Sequence, residues 1–243
     1  MSNIIAENIS KSYGSKDSKV TAISNMNFRI DSGEFVGVMG ESGAGKSTLL
    51  SIMGAMNSPT TGHFMVDGID VYGLSQEKLA DFRREFLGFV FQSFHLIPYL
   101  TVLENVMLPL TTIKISRKQK RSMAKDTLAT VSLEEKWMRL PSEISGGEKE
   151  RVAVARAIIN EPPILLADEP TGNLDTRNTH EMMELLCRLN EKGTTIVMVT
   201  HSAECAGYAG RIMNVADGKM VPENLSIKKK EDSGYIKVAA LAN

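Results

Sequence analysis

Charge of either sign is nearly balanced in this chain. Its 243 residues include 28 Lys and Arg against 29 Asp and Glu, a formal net charge of −1. No global basic field exists to gather nucleic acid or anionic lipid, although a local basic patch is compatible with that balance. Cysteine is scarce. Cys187 and Cys205 are the only two, and they show no close metal-ligand spacing. They read as free thiols in a reducing cytoplasm. The opening MSNIIAENISKSYGS has no apolar stretch of signal-peptide length. No uninterrupted apolar run approaches the ~18–20 residues that cross a bilayer. Work at a membrane would therefore need another protein to hold the chain there. Internal repeats and low-complexity blocks are also missing.

The composition is that of a soluble domain, 42% hydrophobic and 23% charged, with length for one large domain carrying a subdomain. Short β-rich runs come first: IIAENIS (4–10), MNFRI (26–30) and EFVGVMG (34–40). KSTLLSIMG then reads as a helix, GHFMVDG (62–68) as a strand ending in an Asp-Gly turn, and LGFVF (87–91) as a strand running into Gln92. From about 93 to 160 the pattern turns helical, in TVLENVMLPL, SRKQKRSMAKDTLATV and GEKERVAVARAII, with no strand between them. PILLAD (163–168), a helix over 176–193, TTIVMVTH (194–201) and RIMNVADG (211–218) close the domain. Apolar strands alternating with helices predict an α/β fold, a mainly parallel sheet covered by helices. The expected organisation is one domain over 1–221, with the helical stretch 93–160 inserted, and a polar extension over 222–243 whose KKK is a solvated group.

GESGAGKS (40–47) follows a strand and precedes a helix, the context that a phosphate-binding G-x-x-x-x-G-K-[ST] loop requires. Gly43 and Gly45 let the backbone approach phosphate where a Cβ would intrude. The N–H groups of the loop, from Gly40 through Ser42 and Ala44, and of the following helix start suit anionic oxygens. Lys46 is expected to reach the β- and γ-phosphates of a bound nucleotide, and the Ser47 hydroxyl to ligate Mg²⁺. ILLADE (164–169) delivers Asp168 to the C-terminal edge of a strand, where it would hold Mg²⁺ through water. Glu169 is then placed to polarise an attacking water. Adjacent carboxylates also occur simply as a solvated strand end. His201 ends another apolar strand and is expected to hydrogen-bond the γ-phosphate and orient the water. Gln92, at a further strand end, could contact Mg²⁺ or water through its amide. His63, His95 and His180 read as surface or packing residues.

A second anion site is written into EISGGEKERVAVARA (143–157), where Ser145 and two glycines open a helix. Tyr13 in KSYG, GESGAGKS, Gln92 in VFQ, ISGGE, ILLADE, GNLD and His201 occur in the order of an ABC-type ATPase domain, which the chain resembles over roughly residues 3–221. The resemblance implies a P-loop fold with an N-terminal antiparallel β-subdomain. It implies that two copies meet head to tail around two ATP, each signature motif serving the partner's nucleotide. Tyr13 would stack on adenine, and Lys46, Ser47 and Thr48 would contact phosphate and Mg²⁺. Gln92 would sense the γ-phosphate end, with Ser145, Gly146 and Gly147 closing over it across the dimer. Glu169 would be the general base, and Asp175 would sit in the loop linking the two sites.

Two positions depart from the commonest family pattern. Ile144 stands where Leu is usual, a mild apolar swap. Glu148 stands for Gln and places a carboxylate near the partner's nucleotide, where it could accept from a ribose hydroxyl or weaken closure. Only about a hundred residues separate the two motifs, without sustained heptads, and the chain holds one such domain. Both facts argue against the alternative, a soluble mechanoenzyme of DNA repair or translation. FLGFVFQSFHLIPYLTVLENVMLPL (86–110) and LADEPTGNLD (166–175) resemble the lipoprotein-releasing, macrolide-exporter and cell-division ATPases. That resemblance implies an integral membrane permease partner with few transmembrane helices and a place on the cytoplasmic face of the inner (cell) membrane. It implies no nucleic-acid partner. Exposed His95, Pro98 or Tyr99 could form part of the groove for a cytoplasmic helix of that partner.

Overall fold

The computed structural model of the chain describes residues 3–14 and 18–221. Two long antiparallel strands begin it, β1 (Ile4–Tyr13) and β2 (Val20–Ile30), followed by β3 (Phe35–Met39) and α1 (Lys46–Met53). Strands β4 (Thr61–Val66) and β5 (Ile69–Asp70) precede α2 (Gln76–Phe86) and β6 (Leu87–Val90). Then come α3 (Val102–Met107), α4 (Arg117–Thr130) and α5 (Gly146–Ile158), with no strand from Val90 to Ile164. The chain continues through β7 (Ile164–Asp168), α6 (Thr176–Glu191), β8 (Thr195–Val199), α7 (Ala203–Ala206), β9 (Arg211–Ala216) and β10 (Lys219–Val221). The extension over 222–243, with its KKK, lies outside the described residues.

A four-stranded antiparallel sheet runs in the order β2-β1-β4-β5, and a six-stranded sheet in the order β10-β9-β3-β8-β7-β6. The larger sheet is parallel except where β10 pairs with β9. The expected mainly parallel sheet, antiparallel subdomain and inserted helices are all present. Parallel strands buried on both faces must be apolar at every position. In β7 and β8 this is visible directly. Leu165, Ala167, Ile196 and Met198 enter one core with the helices of the insert, whereas Ile164, Leu166, Val197 and Val199 enter a second core with α1 and the small sheet.

Helix α2 is an element beyond those expected from the sequence. Its signals were present: Ser75 caps it by accepting from Lys78 N–H at 3.4 Å, and Leu79 and Phe82 supply its buried stripe. FHLIPYLTVLENVMLPL (94–110) divides its work between packing and exposure. Val102, Leu103, Val106 and Leu110 are buried in the insert's core, while His95, Pro98 and Tyr99 remain exposed.

Candidate nucleotide site

Strand order decides which motifs meet. β3, β8, β7 and β6 are consecutive and parallel. The four segments that leave their C-terminal ends therefore emerge side by side, at strand spacings of ~4.8 Å. Those segments are the phosphate loop, His201, the Asp168–Glu169 pair and Gln92.

The loop needs its glycines for stereochemistry. Gly45, the N-cap of α1, has φ 101°, and a Cβ there would collide with the Ala22 carbonyl. Lys46 is 8% exposed, and its ammonium donates to the carbonyls of Gly40 and Glu41, both at 2.8 Å. A cation held over its own loop by carbonyls, with no carboxylate within salt-bridge distance among the described residues, is poised for an anion. Ser47 and Thr48 follow it in the first turn of α1, beside first-turn amides that have no i−4 partner.

Asp168 ends β7, and burial pushes its carboxyl up. The neighbouring Glu169 adds to that shift and Lys46 opposes it. Such a carboxylate gains from a cation placed beside it. Glu169 sits at φ 47°, a left-handed conformation uncommon for a residue with a Cβ, and its N–H donates to Val199 O at 3.0 Å. Its Oε2 lies 2.8 Å from Nδ1 of His201. A Cβ on Gly172 would stand 3.5 Å from Glu169 Oε2 and 3.6 Å from Gln92 Nε2, so carboxylate and amide converge on one spot. Bonding through Nδ1 leaves Nε2 of His201 as its second polar atom. Among the described residues no three His, Cys, Asp or Glu side chains form a metal cluster. The donor set of Ser47, Gln92 and a single Asp168 suits an ion such as Mg²⁺, which takes few protein ligands and completes its shell with phosphate and water.

Tyr13, at the end of β1, is 43% exposed. Its hydroxyl accepts from Asn57 Nδ2 at 2.6 Å, and the Lys11 ammonium lies 5.1 Å from the ring centroid. The ring is held by its edge, with a cation over one face.

The signature helix begins at Ser145, whose hydroxyl accepts from Glu148 N–H at 3.3 Å. Glu148 Oε2 in turn accepts from Ser145 N–H at 2.8 Å, a capping box, and Glu148 Oε1 lies 3.6 Å from Lys136 Nζ. The hydrogen bond from the Ser145 amide lowers the Glu148 carboxyl's pKa. Thus the residue expected to face a partner's nucleotide is turned back onto its own helix and used there. Gly146 is open to space, whereas Gly147 is buried against Asn178 of α6, so closely that a Cβ would strike the Asn178 amide oxygen. Asn178 also donates from its backbone N–H to Asp175 Oδ1 at 2.9 Å and from Nδ2 to Oδ2 at 2.7 Å, which lowers the Asp175 pKa. Asp175 therefore caps α6 and is tied through Asn178 to the first turn of α5. Arg151 and Glu181, 3.2 Å apart, join the same two helices one turn further on.

Two positioning residues escaped the sequence reading. Asn178 had a local signal, the D-x-x-N spacing of an N-cap. Arg156 had none. From α5 it donates to His95 O at 2.5 Å and to Phe94 O at 2.6 Å, more than sixty residues away. Phe94 and His95 hold positive φ values of 52° and 47° just beyond Gln92. A groove of about 450 Å³ opens nearby, lined by Asp81, Arg84, Leu108, Pro109, Thr111 and Thr112 among others. His95, Pro98 and Tyr99 do not line it.

Comparison with known proteins shows the family. Residues 23–172 match the family model described as ABC transporter. An uncharacterized ABC transporter ATP-binding protein of Methanocaldococcus jannaschii is 45% identical over 90% of this chain and 97% of its own length. The lipoprotein-releasing system ATP-binding protein LolD of Geobacter metallireducens is 44% identical over 88% of this chain and 96% of its own. A solved ATP-binding cassette, a dimer in a post-hydrolysis state bound to ADP and Pi, is 42% identical. It superposes with a TM-score of 0.83 over 89% of this chain and 96% of that one. Fold, motif order and likeness agree, and the chain belongs to the ABC transporter ATP-binding family, whose members bind and hydrolyse ATP.

Proposed function

We propose that this chain is the ATP-hydrolysing subunit of a membrane transport complex and works as a head-to-tail pair of copies. One observation carries the reading. The phosphate loop and the signature helix start are both built for anions, yet the signature start packs on α6 rather than on its own loop. The similarity to a cassette solved as a dimer with ADP and Pi supports a pair in which each signature closes on the other copy's nucleotide.

Each residue then has a task. Tyr13 stacks adenine on the ring face that Lys11 leaves free. The Lys46 ammonium exchanges its two carbonyls for phosphate oxygens, and the amides from Gly40 to Thr48, through Ser42, Gly43 and Ala44, cradle them. Ser47, Gln92 and Asp168 would hold Mg²⁺, which shields phosphate charge when bound. Glu169 takes the proton of the attacking water while His201 restrains its carboxylate. Ser145, Gly146 and Gly147 cap the partner's γ-phosphate, and Asp175 connects the two sites.

A membrane permease with few transmembrane helices supplies the load. Its cytoplasmic helix docks in the groove between α2 and the end of α3, and Arg156 relays its position to the segment after Gln92. The chain acts on the cytoplasmic face of the cell membrane; among the described residues no helix is long and apolar enough to cross it. The likeness to a lipoprotein-releasing system ATP-binding protein supports a transport partner in the membrane, and that partner relays motion to a large external domain.

The test is purification of a tagged Glu169→Gln variant with ATP from detergent-solubilised host membranes. Recovery of a few-helix membrane protein with a large external domain is expected. Recovery of ribosomes or DNA-bound proteins without a membrane subunit would overturn the transport reading.

A further inference from the structure

A net charge of −1 conceals an uneven distribution. Helix α4 carries Arg117, Lys118, Lys120, Arg121 and Lys125 against Asp126 alone, and Lys114 precedes it. Among the described residues no carboxylate lies within salt-bridge distance of these six cations. Other helices pair part of theirs. Arg84 sits 2.9 Å from Asp81, Arg177 3.0 Å from Glu181 and Arg188 3.9 Å from Glu184. The acid that feels Arg117 and Arg121 is Glu104, and its carboxylate is already engaged by Thr101 at 2.9 Å.

The cations are also arranged. Arg117, Lys118, Arg121 and Lys125 surround one shallow depression with Ser122. Beneath it Trp137 orders the long side chains, its ring centroid 4.0 Å from Lys125 Nζ and 5.5 Å from the Arg121 guanidinium carbon. The helix also reaches the permease groove, since Lys120 Nζ donates to Thr111 O at 3.4 Å and Thr111 and Thr112 form the groove wall.

We propose that the α4 face binds the anionic phospholipid headgroups of the membrane in which the permease sits. The inference rests on the groove receiving that permease, because only then is α4 brought within the ~8 Å over which a charged surface is felt at physiological salt. Unpaired cations at that distance attract anionic lipid without a shaped pocket, and a shallow, open depression lined by Arg and Lys suits a laterally mobile layer of phosphates. An acidic protein segment is the competing occupant, and the experiment separates the two.

The full chain is sedimented with vesicles of equal parts phosphatidylglycerol and phosphatidylcholine, and with vesicles of phosphatidylcholine alone. Binding is expected to the first, to weaken with added salt, and to fall about fivefold for each cation removed in the series R117Q, K118Q, R121Q and K125Q. ATPase activity and helical content should not change. The control series R188Q, K192Q and K219Q, which lies outside α4, should leave binding intact. Equal sedimentation with both vesicles, or undiminished binding by the quadruple variant, would overturn the proposal. So would loss of the membrane subunit from that variant in detergent free of anionic lipid, which would assign the face to a protein. If Glu169→Gln recovers the permease while vesicles fail to bind, only the lipid contact falls. If vesicles bind selectively and no permease is recovered, the docking reading falls instead.

Discussion

Glu150 lies on the signature helix, 2% exposed, with Oε1 buried and unpaired. Burial pushes its carboxyl up from 4.5 to about 8, against the opposing pull of the Arg156 guanidinium. In the unfolded chain the same group ionises near its ordinary value, so the folded state favours the protonated acid. Its contribution to stability is complete below a pH of about 4.5 and is lost as pH rises towards about 8, by ~1.4 kcal/mol per pH unit across that window. Glu150→Gln has the same shape and no titration. Its stability should rise relative to wild type by about 2.5 kcal/mol between roughly pH 5.5 and pH 7.5. Urea unfolding of both proteins at the two pH values measures this directly, and other titrating groups cancel in the difference. A gap that stays constant with pH would show that Glu150 is ionised or solvated in the fold, and would refute the reasoning.

Gly147→Ala inserts a methyl against Asn178 and should weaken ATP-driven pairing of a Glu169→Gln background by about tenfold, equivalent to ~1.4 kcal/mol of overpacking. Asn178→Ala added to it should restore pairing on size-exclusion chromatography; failure to do so would mean the contact is not the cause. Arg156→Ala removes two charged hydrogen bonds and should cost about 2–3 kcal/mol in urea. It should also speed amide exchange over residues 92–96, and unchanged exchange there would count against its positioning role. Lys46→Ala should raise the Kd of a fluorescent ATP analogue ~10–150-fold, the worth of a charged contact; an unchanged Kd would dismiss the phosphate cradle. Because Glu148 is occupied by the Ser145 amide, Glu148→Gln should change ATPase activity less than about tenfold, or ~1.4 kcal/mol.

Much of this was legible in the sequence because it is local. GESGAGKS and ILLADE each carry their chemistry within eight residues, and strand-then-helix context follows from apolar runs and glycine. Motif order along the chain pointed to the family, and alternation of strands and helices to the sheet. Helix α2 was readable and passed over, its Ser75 cap and Leu79–Phe82 spacing being ordinary signals in a charged stretch.

What tertiary structure alone decided involves partners distant in sequence. That Gln92, Asp168, Glu169 and His201 end strands at one sheet edge was legible in the sequence; their order along that edge, as neighbours from β6, β7 and β8, is encoded by no spacing along the chain. Arg156 reaching Phe94 and His95, Gly147 meeting Asn178, and Glu148 spent on its own helix depend on packing and rotamer. So do the burial of Glu150 and the unpaired cations of α4. A charge reads the same in sequence whether solvated, paired or desolvated, and only its surroundings in three dimensions set its energy.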